Sequence, residues 1–378
     1  MMRPVILILS LQLIENNNLY FNTIMIKNID FYPSISALSI GLVHFLFSFF
    51  VLSFSIWLIL ALWVHKPVGR SLTLVLIAVW VSFALSILGI YFTSFFFTPM
   101  IDIAIFLTGV LLSFLWYFHI QPQQDRAWSP EVSKLLTYSK YKNTITLNNV
   151  RNFKWHTDKT YEVCWETRVF NLDHITGVNI ITSYWMGPQI AHTLVSFNFS
   201  DQRPIVFSIE IRKQIHEGFS AIGGFFRQFE LSLIASDEKD ILYTRSNIRK
   251  EKVYFFPIRM QKHQMQHLFQ EYLTTADELK ASPRWYNTLT SNCTTIVFDM
   301  VQAVNPHQLP KDYRILLSGY LPNYLYDSGV LDHQWNIEEW YEHAYINPRT
   351  KNFTYLEDQS SEHFSYLIRL GLPQAISS

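Results

Sequence analysis

Cysteine is nearly missing from this chain: its 378 residues include only two, Cys164 and Cys293. They can form at most one disulfide, so the fold is not a disulfide-stapled scaffold, and the count marks no redox compartment. Charge is sparse as well. Charged residues make up 16% of the chain, 30 basic side chains cancel 30 acidic ones, and no long basic stretch occurs. Nucleic acid therefore has no electrostatic footprint here, and no nucleic-acid partner is expected.

Aromatic and aliphatic bulk is abundant instead. Aromatic residues reach 16%, with 30 Phe and 11 Trp, and many crowd the first third. The length suits a membrane part followed by one or two soluble units. Apolar runs at 35–64, 71–97 and 103–120 are each long enough to cross a bilayer. The polar loop His65-Lys66-Pro67-Val68-Gly69-Arg70 separates the first two. Thr98-Pro99-Met100-Ile101-Asp102 reads as a tight turn before the third. Segment 1–34 is poorly patterned. Its apolar stretch 4–14 is too short to span, no small-residue cleavage site follows it, and Met25 is an alternative start.

At Gln121 the character changes. Gln121-Pro122-Gln123-Gln124-Asp125 and Pro130 mark a boundary, which makes 121–378 the soluble domain, free of repeats and low-complexity segments. Runs at 145–150, 165–170, 177–185, 229–235 and 253–258 read as strands, and 261–280 reads as a helix. The mixture predicts an α+β domain. Ser236-Asp237-Glu238-Lys239-Asp240 reads as a solvated turn, and Glu338, Glu339, Glu342 and His343 as a charged helix face. His263 and His267 are four apart, but Gln264 stands where a zinc-protease helix needs Glu, so no metal site is expected.

Two runs, 192–199 and 205–212, flank a polar turn and read as a β-hairpin. Val195, Phe197 and Phe199 share one face of the first strand; Ile205, Phe207, Ile209 and Ile211 share one face of the second. Burying both sets together fixes the register, because a one-residue slip separates them. The opposite face then carries His192 beside or diagonal to Glu210, with Ser208 and Arg212. A histidine with a carboxylate partner is oriented and kept basic, as a general base for a thiol requires.

The thiol is Cys293. It follows Thr290-Ser291-Asn292, all cap-forming types, and precedes an apolar run at 296–301 that reads as a buried helix. A thiol in a first helical turn lies near unsatisfied N–H groups and the positive end of the dipole, which favours the thiolate. A lone cysteine is as a rule a small buried hydrophobe, and Cys164 lacks these cues.

The order of these motifs carries a resemblance. Ile190-Ala191-His192-Thr193, Ser208-Ile209-Glu210-Ile211-Arg212, Phe226-Arg227-Gln228-Phe229-Glu230-Leu231, Asp237-Glu238-Lys239-Asp240 with Arg245, and Tyr286 through Thr295 resemble the Lnb-type N-terminal periplasmic domain family of bacterial membrane proteins. Asp125-Arg126-Ala127-Trp128 and Tyr313 through Tyr320 are similar to that family too, so the resemblance covers roughly 121–373. It implies a permuted papain-like (NlpC/P60-like) domain in which the histidine strand precedes the cysteine helix. By resemblance Cys293 is the nucleophile, His192 the base and Glu210 the orienting third residue. Asn292 and backbone N–H groups at the helix start are expected to support an oxyanion. No cofactor is implied. The family is named for a lipoprotein N-acyltransferase whose spans follow the domain, whereas here they precede it, so substrate does not transfer automatically.

The expectation is thus a membrane-anchored thiol acyltransferase or acyl hydrolase acting on membrane lipid or lipoprotein. A cell-wall peptidase or amidase, and a non-catalytic envelope scaffold, are the alternatives. For location two arguments conflict. Lys66 and Arg70 favour a cytoplasmic loop between the first two spans, which would put the domain inside. The family location, with Lys27 before the first span, favours a domain outside the inner membrane, in the periplasm, and is given more weight. A C-terminal alkaline phosphatase fusion is then active and a green fluorescent protein fusion dark; the reverse pattern places Cys293 in the cytoplasm.

Overall fold

The computed structural model describes residues 35–93, 97–304, 310, 312–355 and 360–373. The segment 1–34, with its short apolar stretch and Met25, lies outside the described residues. Three long helices come first: α1 (Ile35–His65), α2 (Arg70–Thr93) and α3 (Pro99–His119). Each is long and apolar enough to cross a membrane. They pack along a seam that includes Phe47, Phe54, Leu58, Ile87, Phe106 and Val110. Outward positions are apolar too, such as Phe45, Leu85 and Leu112, as a lipid-facing surface requires. One expectation needs correcting: 98–102 is not a turn. Thr98 is an extended N-cap and Pro99 opens α3, where a missing N–H costs nothing because that donor has no helical partner.

The rest is a sheet-containing domain. Its strands are β1 (Thr137–Tyr141), β2 (Thr144–Arg151), β3 (Lys154–Trp155), β4 (Tyr161–Glu162), β5 (Trp165–Asn171), β6 (Ile175–Tyr184), β7 (Ala191–Phe199), β8 (Ile205–Arg212), β9 (Glu230–Ser236) and β10 (Lys252–Ile258). The helices are α4 (Ala221–Phe225), α5 (Glu238–Tyr243), α6 (Lys262–Ala281), α7 (Cys293–Val304), α8 (Leu321–Asp327), α9 (Ile337–Ala344), α10 (Asn347–Thr350) and α11 (Ser360–Arg369). The main sheet runs β1-β2-β9-β8-β7-β6-β10, with β5 also paired to β2.

Alternation divides the core into two layers. Val195, Phe197, Phe207 and Leu233 face Leu268, Phe269 and Tyr272 of α6 and Val297 and Phe298 of α7. Leu194, Val206 and Phe255 face Ile241 and Leu242 of α5 and Phe364 and Ile368 of α11. Val195 pairs with Phe207 and Phe197 with Ile205, so the apolar faces of the hairpin coincide.

The stretch 236–240 is a second correction. It is not a solvated turn: Asp237, Glu238 and Asp240 are buried. Asp240 accepts from Arg151 at 2.9 and 3.1 Å, from Trp155 Nε1 at 2.8 Å and from the Phe153 amide at 2.8 Å. Glu238 accepts from both terminal nitrogens of Arg369, at 2.6 and 2.7 Å, and from Ser196 and Ser365 at 2.6 Å. These partners lie far away in sequence, so the local pattern reads as polar and exposed. Removing one partner leaves a buried charge uncompensated. Asp240→Ala is expected to cost about 3–5 kcal/mol and roughly 10 °C of Tm, measured by thermal unfolding in detergent. Asp201→Ala, which breaks only an exposed pair with His174, should change Tm little.

Candidate functional site

The site begins where the sheet splits. β7 stays paired to β6 up to Tyr184↔Ala191, and β8 to β9 up to Arg212↔Glu230. Yet the β7–β8 ladder stops at Leu194↔Ser208. Beyond that point His192 and Glu210 reach towards each other across an unzipped gap. Their side chains meet, His192 Nε2 to Glu210 Oε1, at 3.1 Å. Ser208 stands between them: its Oγ accepts from His192 Nε2 at 2.8 Å and donates to Glu210 Oε1 at 2.8 Å. With Nε2 engaged by Glu210 and Ser208, Nδ1 is the ring nitrogen left for another partner.

Cys293, the first residue of α7, lines the same cleft as His192 and interacts with its imidazole. Thr294 Oγ1 meets Thr193 Oγ1 at 2.9 Å and fixes the helix start against β7. The Thr294 hydroxyl lies 3.9 Å from the sulfur, within hydrogen-bonding reach of it. Burial raises the thiol pKa, but the charge and hydrogen bond of His192 outweigh burial and lower it. Burial and Arg245 push His192 down, but Glu210 and the Cys293 sulfur dominate and raise it to about 9. Glu210 is buried, which raises its pKa, yet His192 and Arg245 hold it well below the carboxylate range. The arrangement therefore favours a thiolate–imidazolium pair.

Asn292 serves the helix. Its Oδ1 accepts from the Thr294 and Thr295 amides at 2.9 and 3.0 Å, and its Nδ2 donates to the Thr288 carbonyl at 2.9 Å. This is N-capping. It supports the position of Cys293 at the start of α7.

Sequence reasoning passes over the outer layer. Arg245 sits in a π-helical turn at Thr244–Ile248, a geometry frequent at functional sites. It donates to Glu210 at 2.8 Å and to Glu251 at 3.1 Å, and Ser183 also bonds Glu251. Only the resemblance mentions Arg245; Glu251, at the start of a strand region, carries no local signal. Tyr286 joins His192, Glu210 and Cys293 in lining a cleft of about 440 Å³, walled also by Trp185, Phe219 and Arg249. Cys164 is exposed, and burial and Glu166 raise its pKa. His263 and His267 stay on the exposed face of α6, where His267 meets Glu271 at 3.4 Å.

A membrane-length helical part and a mixed sheet domain presenting a thiol, an imidazole and a carboxylate to one cleft define the class. Residues 161–319 match the family model described as the Lnb N-terminal periplasmic domain, the family that the sequence resembles. With the three helices, the match describes a membrane protein with a periplasmic domain. No curated protein and no solved structure matches the chain.

The charge arrangement predicts a pH profile. A histidine raised to about 9 keeps its proton until the pH passes that value; this raised-pKa contribution is full below the ordinary histidine value and lost as pH rises through about 9. Glu210→Gln removes the negative charge and leaves Arg245 opposing the imidazolium. The histidine pKa should fall, the thiol pKa rise, and alkylation of Cys293 at pH 6 slow by about tenfold per pKa unit. An unchanged rate–pH curve in Glu210→Gln detaches Glu210 from the pair.

Proposed function

We propose that this protein is a membrane-anchored, cysteine-dependent acyltransferase or acyl hydrolase acting on lipid or lipoprotein at the inner membrane, through an acyl-thioester on Cys293. The observation that carries the reading is a thiol of lowered pKa at a helix start, beside an imidazole of raised pKa that a partly buried carboxylate holds at 3.1 Å. The domain is read as 121–378. A permuted papain-like architecture is supported by the chain order, histidine strand before cysteine helix, and by the packing of α7 on the sheet.

His192 holds the proton taken from Cys293. The thiolate attacks an acyl carbonyl, forming the C–S bond, while the Cys293 amide at the helix start donates to the oxyanion. The C–O or C–N bond to the leaving group then breaks, and imidazolium returns the proton to the departing alcohol or amine. Water or an amine attacks the thioester next. His192 takes its proton, the C–S bond breaks, and Cys293 is restored. Glu210, with Ser208, positions the imidazole throughout.

Cys293→Ala should abolish activity and thiol-probe labelling while the protein stays folded in the membrane. Cys164→Ala should keep both. His192→Ala should cost more activity than Glu210→Gln, since proton transfer contributes about 100- to 10,000-fold and orientation less. Labelling that follows Cys164 refutes the assignment.

A further inference from the structure

Apolar side chains line one side of the cleft, and the segment that carries them packs against the ends of α1 and α3. Phe226 packs with Ala61 of α1 and Tyr117 of α3, and its ring lies 6.2 Å from that of Trp57. The next residue, Arg227, places its guanidinium 4.9 and 4.8 Å from the rings of Tyr117 and Phe118. Those two residues belong to the last turn of α3. The short helix α4, which leads directly into Phe226, is thereby held beside the C-terminal end of α3.

This segment does not bury its large residues. Phe219, Ile222 and Phe225 are 46%, 49% and 42% exposed, and Leu289 is 53% exposed. Leu289 joins them through its neighbour, since Thr288 donates to the Ala221 carbonyl at 3.1 Å. Gly224 permits that approach: a Cβ there would lie 2.3 Å from Thr288 Oγ1. Phe219 meets the exposed Trp185 edge-to-face at 5.9 Å, and both line the Cys293 cleft. Apolar groups collected this way in water mark an interaction surface. Here the surface continues directly from the membrane helices, and its Trp and Phe residues are the types that settle at a bilayer interface.

We propose that Phe219, Ile222, Phe225 and Leu289, with Trp185, form a rim that sits in the headgroup layer of the domain-side leaflet and admits an acyl-bearing lipid from that leaflet into the Cys293 cleft. The rim's immersion stands on the packing alone; the acyl destination rests on the thiol reading above. Trp185 and Phe219 form the threshold, bounded by bilayer on one side and by the polar cleft on the other. An acyl chain crossing it stays in apolar contact while its carbonyl reaches the sulfur.

Two measurements on the full-length protein in phosphatidylethanolamine–phosphatidylglycerol nanodiscs test this. In a Cys164→Ser/Cys293→Ser background, Phe225→Cys carries an environment-sensitive fluorophore, and Asp201→Cys, in the turn at the far end of the hairpin, is the control. Lipids spin-labelled near the top of the acyl chain should quench the fluorophore at 225 strongly and at 201 weakly. Equal weak quenching at both overturns the rim. In the otherwise native chain, Ile222→Asp/Phe225→Asp should slow Cys293 labelling by a palmitoyl-anchored maleimide about tenfold, while a water-soluble maleimide reacts as before. Unchanged labelling by the anchored probe overturns delivery from the leaflet. A native Cys293 that reacts with neither probe defeats the thiol reading instead, and the quenching still decides the rim.

Discussion

The partly buried carboxylate of Glu210 is the group on which the rest of the site depends. It is shared by His192, Ser208 and Arg245. Arg245 alone would drive a proton off a neighbouring imidazole; with Glu210 between them, the imidazole keeps it. The imidazolium in turn stabilises the thiolate, which burial alone would disfavour. Each charge is tolerable only because the next is in place, as expected for ions removed from water. Arg245 also needs Glu251, and Glu251 needs Ser183, so the chain of dependence runs from the sulfur through β8 and the π-helical turn to the start of β10.

Backbone geometry makes room for that chain. A fully zipped β7–β8 ladder would use the strand ends for one another. Stopping at Leu194↔Ser208 opens the gap to which α7 brings Cys293. The strands do not fray there, because β6 and β9 hold their outer edges. The buried acids at 237–240 act at a different level: Asp240 with Arg151 and Glu238 with Arg369 lock α5, and with it the turn that carries Arg245, onto the sheet and the C-terminal helix.

Much of this was legible in the sequence where the signal is periodic. The alternating apolar residues at 195–199 and 205–211 carry the hairpin's facing, and with it the meeting of His192 and Glu210. The capping residues before Cys293 mark the helix start. Three apolar runs of membrane length mark the spans. What failed was whatever depends on distant partners. Asp237, Glu238 and Asp240 look like a solvated turn because Arg168, Arg151 and Arg369 lie elsewhere in the chain. Pro99 looks like a turn residue because proline serves equally as a helix opener. Glu251 has no local pattern at all.

The central claim is that Cys293 carries an acyl group during turnover. The most direct measurement is mass spectrometry of the full-length protein isolated rapidly from its native membrane at mildly acidic pH, where thioesters persist. The account predicts a fatty-acyl mass on the peptide containing Cys293, released by neutral hydroxylamine and absent when His192 is replaced by Ala. An unmodified Cys293 under those conditions, in protein that is demonstrably turning over, would contradict it.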